Sequence, residues 1–166
     1  MKTNINIAIV GLGQIGIYLY NQLRLKKKEI EKKTGKKIKI VGISAKNKNK
    51  KRKFPIKKNI FYKNPFEIFK KEKVDILFEC IGLSDGISKK IVETAIKNKI
   101  HVITPNKALI AKHGDNLAKL AEKNNVNLEF EASVAGGIPI LRTIKEGLAT
   151  NKISKVYGIL NGTTNY

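Results

Sequence analysis

The chain is poor in the residues from which many sites are built. Among its 166 residues are one cysteine and two histidines, and 13 Asp and Glu stand against 34 Lys and Arg. The lone Cys80 excludes an internal disulfide and fits a reducing cytosol, so a cytoplasmic location is expected. His101 and His113, with no close acid–histidine spacing, leave neither a zinc site nor a nucleophile triad in view. Both histidines read as structural, and Cys80, at the end of an apolar strand, as a small buried hydrophobe. No apolar run approaches the roughly 20 residues of a membrane span. Residues 1–4 lead straight into the first strand, so no signal peptide is expected.

The scarcity of acids leaves a formal net charge of +21, which on its face points to a polyanionic partner such as nucleic acid or an anionic membrane surface. The distribution argues otherwise. The excess is nearly all Lys, spread along the whole chain and accompanied by heavy use of Asn and Ile, and aromatics do not interleave with it as stacking platforms would require. Neither a dedicated nucleic-acid function nor a membrane partner is expected, although weak, salt-sensitive RNA binding is compatible with such a charge.

What the chain does have begins at Ile5, in the stretch INIAIVGLGQIG. An apolar run rich in Ile and Val suits a buried parallel strand. Gly11, Gly13 and Gly16 then give GxGxxG where strand turns into helix, the spacing of a dinucleotide site. In that reading Gly11 makes the tight turn, Gly13 lets backbone approach a pyrophosphate, and Gly16 lets the helix pack on the strand. Gly-rich turns also serve as plain connections, and the spacing alone leaves both readings open.

A first helix is expected from about Gln14 to Lys33, with Ile15, Leu19, Leu23 and Ile30 near helical spacing and Gly35 ending it. Lys37–Ser44 reads as the second strand, whose end would meet the ribose of a bound dinucleotide. No acid occurs between Glu31 and Glu67 to take a 2′-hydroxyl; the strand runs instead into AKNKNKKRK, with Lys46, Lys48, Lys50, Lys51, Arg52 and Lys53. Positive charge there suits the 2′-phosphate of NADP, and equally a solvated basic loop. Asn64-Pro65-Phe66-Glu67 reads as the start of a short helix reaching Lys71. Val74–Cys80 reads as a third strand, and Ile81–Gly86 as a turn on the same sheet edge as the glycines. A helix from Ile87 to Lys97 follows, with Ile87, Ile91, Thr94 and Ala95 on one face, then a strand at 101–104. Pro105-Asn106-Lys107 opens a helical stretch, with Gly114 expected to interrupt it, and a fifth strand is expected at 127–131. This alternation indicates a Rossmann-like doubly wound parallel sheet with helices on both faces, over residues 1–135.

Beyond, the pattern changes: a loop at 135–139, a helix at 139–149, a strand at 154–160 and the polar turn NGTTNY. There is no internal repeat. Lys107, just past a strand end, falls on the cleft edge, where an ammonium can hold a carbonyl or phosphate oxygen; it also reads as one more surface Lys. Glu131 followed by SVAGGIP sets backbone carbonyls beside a carboxylate, a hard-oxygen set for a small cation or a plain Gly-Gly turn.

Three longer blocks are more specific. ITPNKALIAKHGDNLAKLAE (103–122), FEASVAGGIPILRTIKEGLATNKI (130–153) and GILNGTTNY (158–166), together with IVGLGQIG and DILFECIG, resemble homoserine dehydrogenase in the family's order over most of the chain. The resemblance implies NAD(P)H-dependent interconversion of L-aspartate 4-semialdehyde and L-homoserine, on the route to threonine and methionine. It implies that the turn containing Gly11, Gly13, Gln14, Ile15 and Gly16 holds the pyrophosphate, and that Ile81 and Gly82 border the nicotinamide half. Lys107 matches the family's cofactor-cleft and active-site lysine. Lys46 falls where many members carry an arginine beside the adenosine ribose, which favours NADP over NAD. Glu131, Val134, Gly136 and Ile138 match positions around a sodium ion, and Asn161, Gly162, Thr163 and Thr164 would begin the substrate site. The full-length family further implies a homo-oligomer.

In the family the acids that bind the substrate amine, and the lysine that exchanges a proton with the carbonyl, follow GTTNY in the substrate domain, of which residues 136–166 would be the incomplete α+β start. A closing helix then returns to the nucleotide domain. Hydride transfer needs the aldehyde carbon held against the nicotinamide and the developing alkoxide stabilised, largely by those groups. The expectation is weak cofactor binding and no turnover by these 166 residues alone. The alternatives are a non-catalytic nucleotide-binding or basic RNA-binding remnant, and a partner chain supplying the missing half.

Overall fold

The computed structural model describes residues 3–134, 136 and 138–158. A strand β1 (Asn4–Val10) forms because four of its seven residues, Ile5, Ile7, Ile9 and Val10, are β-branched, and it is buried on both sides towards its carboxyl end. It pairs in parallel with β2 (Lys37–Ser44) on one side and β4 (Ile76–Glu79) on the other. β3 (Phe61–Tyr62) extends the sheet beyond β2, while β5 (His101–Ile103) and β6 (Leu128–Glu129) extend it beyond β4. The order is β3-β2-β1-β4-β5-β6. It reverses direction at β1 and β4, which opens a crevice at the carboxyl ends of those two strands.

Side-chain alternation along β1 divides the core in two. Ile7 and Ile9 pack with Ile17, Tyr20, Ile38 and Ile43 on the face covered by α1 (Gln14–Leu25) and α2 (Lys27–Thr34). Ala8 and Val10 pack on the other face with Leu77, Ile91, Ile96, Leu109 and Leu117, beneath α3 (Phe66–Lys71), α4 (Ile87–Lys97) and α5 (Lys107–Lys123). The β1–β2 register jumps from Ile7↔Ile40 to Ala8↔Gly42. Val41 is the extra residue of this bulge. It exchanges the parity of β2, so that Val41 joins the second cluster while Ile38 and Ile43 share the first.

The doubly wound class read from the sequence is the observed one, and its elements differ in informative places. The expected first helix is two: at Lys26 the backbone turns to φ −92°, ψ 13°, and α2 restarts one residue later and ends at Gly35 in the left-handed region (φ 66°). The buried stripe of α1 is Gly16, Ile17 and Tyr20, whereas Ile15 is 59% exposed. Gly114 does not interrupt α5. A helical Gly costs about 1 kcal/mol against Ala, and burial of Leu109, Leu117 and Ala121 on the same helix outweighs it. The strand expected at 127–131 is only Leu128–Glu129, and Glu131 starts a turn of helix, α6 (Glu131–Val134). The helix expected at 139–149 is shortened to α7 (Ile140–Arg142), continued by a π-helical turn over Thr143–Gly147. Residues 154–158 of the last expected strand carry no strand. Val156 and Tyr157 are 68% and 82% exposed, with no strand beside them among the described residues. No helix among the described residues is long and apolar enough to cross a membrane.

Candidate functional site

The crevice is built first by the turn after β1. Gly11 has φ +96°, a conformation that side chains resist, and a Cβ there would run into the Cys80 carbonyl and lie 2.7 Å from the Ile81 nitrogen. A Cβ on Gly16 would strike the Gly11 carbonyl oxygen, so this glycine sets how closely α1 approaches the sheet. Gly13 differs from both: its φ is −74° and nothing lies within 4 Å of where a Cβ would stand. Folding therefore demands Gly11 and Gly16 and leaves Gly13 unexplained. Gly13 is also the N-cap of α1 and offers no side chain to it, and the first turn of α1 holds no acid. The opening N–H groups of the helix thus face open space with their positive end unneutralised, an arrangement that accepts a phosphate.

A cleft of about 840 Å³ opens from this turn. Its walls include Leu12, Gly13, Gln14 and Ile15 from the turn, Phe78 and Cys80 from β4 and its end, and Ile103 and Pro105 from the end of β5 and just past it. Lys50–Lys53 close its far side, and it runs on along α1 past Tyr18 and Gln22. The walls are apolar, as an adenine or nicotinamide ring requires, with cationic groups at one end. Burial, and then the adjacent Glu79, pushes the Cys80 thiol up to about 12, so this residue is a wall and no nucleophile.

Arg52 shapes the basic segment. Its Nη1 donates to the carbonyls of Lys48 (3.1 Å) and Lys50 (3.0 Å), its Nη2 to Asn47 (2.6 Å), and its Nε to Leu12 in the glycine turn (3.4 Å). The guanidinium folds residues 47–50 around itself and fastens them to the turn. Lys46 is exposed just past β2 and is not among the walls of the cleft, whereas Lys50, Lys51 and Lys53 are.

Opposite, Ile81 and Gly82 follow β4, with Gly82 at φ +88°, and Lys107 is the exposed first residue of α5. A buried polar network joins the two. Asn106 caps α5 by accepting from the Leu109 N–H (3.1 Å) and donates to the Leu83 carbonyl (2.8 Å). Farther out on the same turn Asp85 accepts from Lys112 Nζ (2.7 Å) and lies 2.9 Å from His113 Nε2. Lys112, Ser84 and His113 together hold its carboxyl well below the usual range. His113 is thus a structural partner. His101 is one as well: its Nδ1 accepts from the Asn127 N–H (3.0 Å).

The profile described as homoserine dehydrogenase, NAD binding domain, matches residues 11–131, and a second, homoserine dehydrogenase, matches 139–166. The chain belongs to the homoserine dehydrogenase family. It therefore carries that family's binding domain for a nicotinamide dinucleotide. The homoserine dehydrogenases of Neisseria gonorrhoeae and Bacillus subtilis are 41% and 35% identical over 162 residues, 98% of this chain and 37% of each relative. The chain thus spans little more than a third of the length of these relatives. Among solved structures, that of the Thiobacillus denitrificans homoserine dehydrogenase superposes with a TM-score of 0.76 at 33% identity, covering 89% of this chain and 34% of that one. The S. aureus homoserine dehydrogenase at pH 6.0 gives 0.74 at 41% identity, covering 84% and 36%.

Of the positions that the sequence resemblance implied for a sodium ion, Glu131 accepts from the N–H groups of Leu141 and Arg142, both at 3.0 Å, and so caps α7. The Ile138 carbonyl accepts from the Ile140 N–H (2.9 Å). Among the described residues no group of three or more His, Cys, Asp and Glu could hold a metal ion. Val134 ends α6, and Gly136 takes φ +66°. Asn161, Gly162, Thr163 and Thr164 lie outside the described residues. The sequence reading missed Glu79, Thr104 and Asn106, all buried under the crevice. The signal was an acid within the apolar strand VDILFEC, since acids are rarely buried unless bonded.

Proposed function

We propose that the protein is the cofactor-binding part of an NADPH-dependent homoserine dehydrogenase that reduces L-aspartate 4-semialdehyde to L-homoserine. In this reading residues 1–135 are the dinucleotide domain and 136–166 open the substrate domain. The observation that carries it is Gly13: a glycine with ordinary backbone and open space above it, at the uncapped head of α1, inside the match to the family's NAD binding domain.

The residues divide the work as follows. The turn of Gly11, Gly13, Gln14, Ile15 and Gly16 holds the pyrophosphate, with the N–H groups at the head of α1 turned to it, while the Gly11 N–H is taken by the Ser44 carbonyl (2.9 Å). Lys46, with Lys50, Lys51 and Lys53, meets the 2′-phosphate, and Arg52 keeps the segment folded. Ile81 and Gly82 border the nicotinamide, and Lys107 holds an oxygen of cofactor or substrate at the cleft edge. The cofactor supplies the hydride for the aldehyde carbon. Gly162, Thr163 and Thr164 begin the substrate pocket, and the carbonyls of Val134, Gly136 and Ile138 with Glu131 hold sodium. Stabilisation of the alkoxide falls to the region that relatives carry beyond the matched span, so full turnover belongs to the longer protein, as a cytoplasmic homo-oligomer. A basic RNA-binding role is less supported, because the family match runs through both ends of the crevice.

Fluorescence titration with NADPH and NADH tests this. Tighter binding of NADPH, with Lys46→Glu weakening NADPH more than NADH, is the expected result. Equal affinities would remove the NADP preference, and binding of neither would remove the cofactor reading.

A further inference from the structure

Glu79 is fully buried, and it lies on the core face of β4 beside Leu77, both at 0% exposure. Nothing in the cofactor or substrate reading uses it. Its carboxyl group gathers three uncharged donors: the Ile81 N–H at 2.9 Å, the Thr104 hydroxyl at 2.6 Å and Asn106 Nδ2 at 3.4 Å. Thr104 Oγ1 in turn accepts from the Asn106 N–H (3.0 Å), and Asn106 reaches forward to Leu83 and to the first turn of α5. Burying a carboxyl group under a sheet edge is costly unless it is bonded, and an apolar residue would fill the same core position without that cost. The bonds go to two backbone segments that do not touch through the sheet ladder: the turn after β4 and the head of α5.

We propose that Glu79 is a positioning residue for the nicotinamide half of the cofactor. From inside the core it locks the Ile81–Gly82 turn and the helix start bearing Lys107 into one rigid wall of the crevice. The proposal rests on the reading that these segments border the nicotinamide. It separates the two ends of the site: the glycine turn and the basic segment, which serve pyrophosphate and adenosine, make none of the bonds described for Glu79.

Two variants probe it. In Glu79→Gln the carboxamide turns an NH2 towards the Thr104 hydroxyl, and that hydroxyl loses its acceptor. Thr104→Val removes the hydroxyl while keeping Glu79 and the side-chain volume, and so serves if the first variant does not fold; Thr104→Ser restores the hydroxyl. Affinities of the full protein are measured for NADPH and for 2′-phospho-ADP-ribose, which has every part of NADPH except the nicotinamide ring. The expected result is a loss of about tenfold for NADPH, as for one broken buried hydrogen bond, with the ring-free analogue unchanged and Thr104→Ser close to wild type. Variants that lose both ligands alike, or neither, overturn the role of Glu79 alone. Wild-type protein that binds neither ligand overturns the cofactor reading and the proposal with it.

Discussion

The three glycines of the turn carry different burdens, and substitution separates them. Gly16→Ala sets a methyl group against the Gly11 carbonyl oxygen, backbone that cannot swing aside. It is expected to cost about 3 kcal/mol or more of stability, read as a lowered urea midpoint. Unchanged stability there would mean that α1 sits farther from the sheet than described. Asp85 offers a pH-dependent counterpart. Its carboxyl pKa is lowered in the fold by Lys112, Ser84 and His113, so its contribution is fully present above the ordinary Asp range and is lost only as pH falls below that range, through the lowered folded-state pKa. Melting temperatures of wild type and Asp85→Asn should therefore differ at about pH 6, and the gap should begin to narrow only below about pH 4. A gap that widens in acid would contradict the assigned ion pairs. Individual residues were legible in the sequence where geometry alone decides, as at Gly11, and illegible where partners come from afar. Glu79 and Thr104 are 25 positions apart, and no spacing rule joins them.

Among the elements, the basic segment after β2 shows how a charge run can be read too literally. Six cations in succession of nine residues look interchangeable in the sequence, but Arg52 is spent on four backbone carbonyls and acts as a strut. Arg52→Gln is expected to loosen residues 47–50 and to narrow the difference between NADPH and NADH affinity, while barely moving the melting temperature. Retention of the full preference would mean that the lysines act without the strut. Strands and helices with strong periodicity, such as Lys37–Ser44 and Ile87–Lys97, were legible to the residue. The unbroken α5 was not, because its packing against the core outweighed the local propensity of Gly114, and neither was the break at Lys26, which falls among good helix formers. The two-residue strand at Phe61–Tyr62 was missed since it is defined only by its pairing with Ile43 and Ser44.

For the whole molecule, the sheet order and the reversal at β1 and β4 bring the glycine turn, the basic segment and the Lys107 helix start to one edge, although they are spread over nearly a hundred residues. The alternation of strand and helix made that architecture readable; the cleft volume and the buried network under it came only with packing. The central claim is that this edge holds a dinucleotide phosphate at Gly13, where the fold itself needs no glycine. The decisive measurement is NADPH affinity of Gly13→Ala beside its melting temperature. Gly13→Ala is expected to leave the melt unchanged and to lower the affinity about tenfold or more, since the methyl group takes the space of the pyrophosphate. An unchanged affinity, or a loss of affinity accompanied by an equal loss of stability, would contradict it.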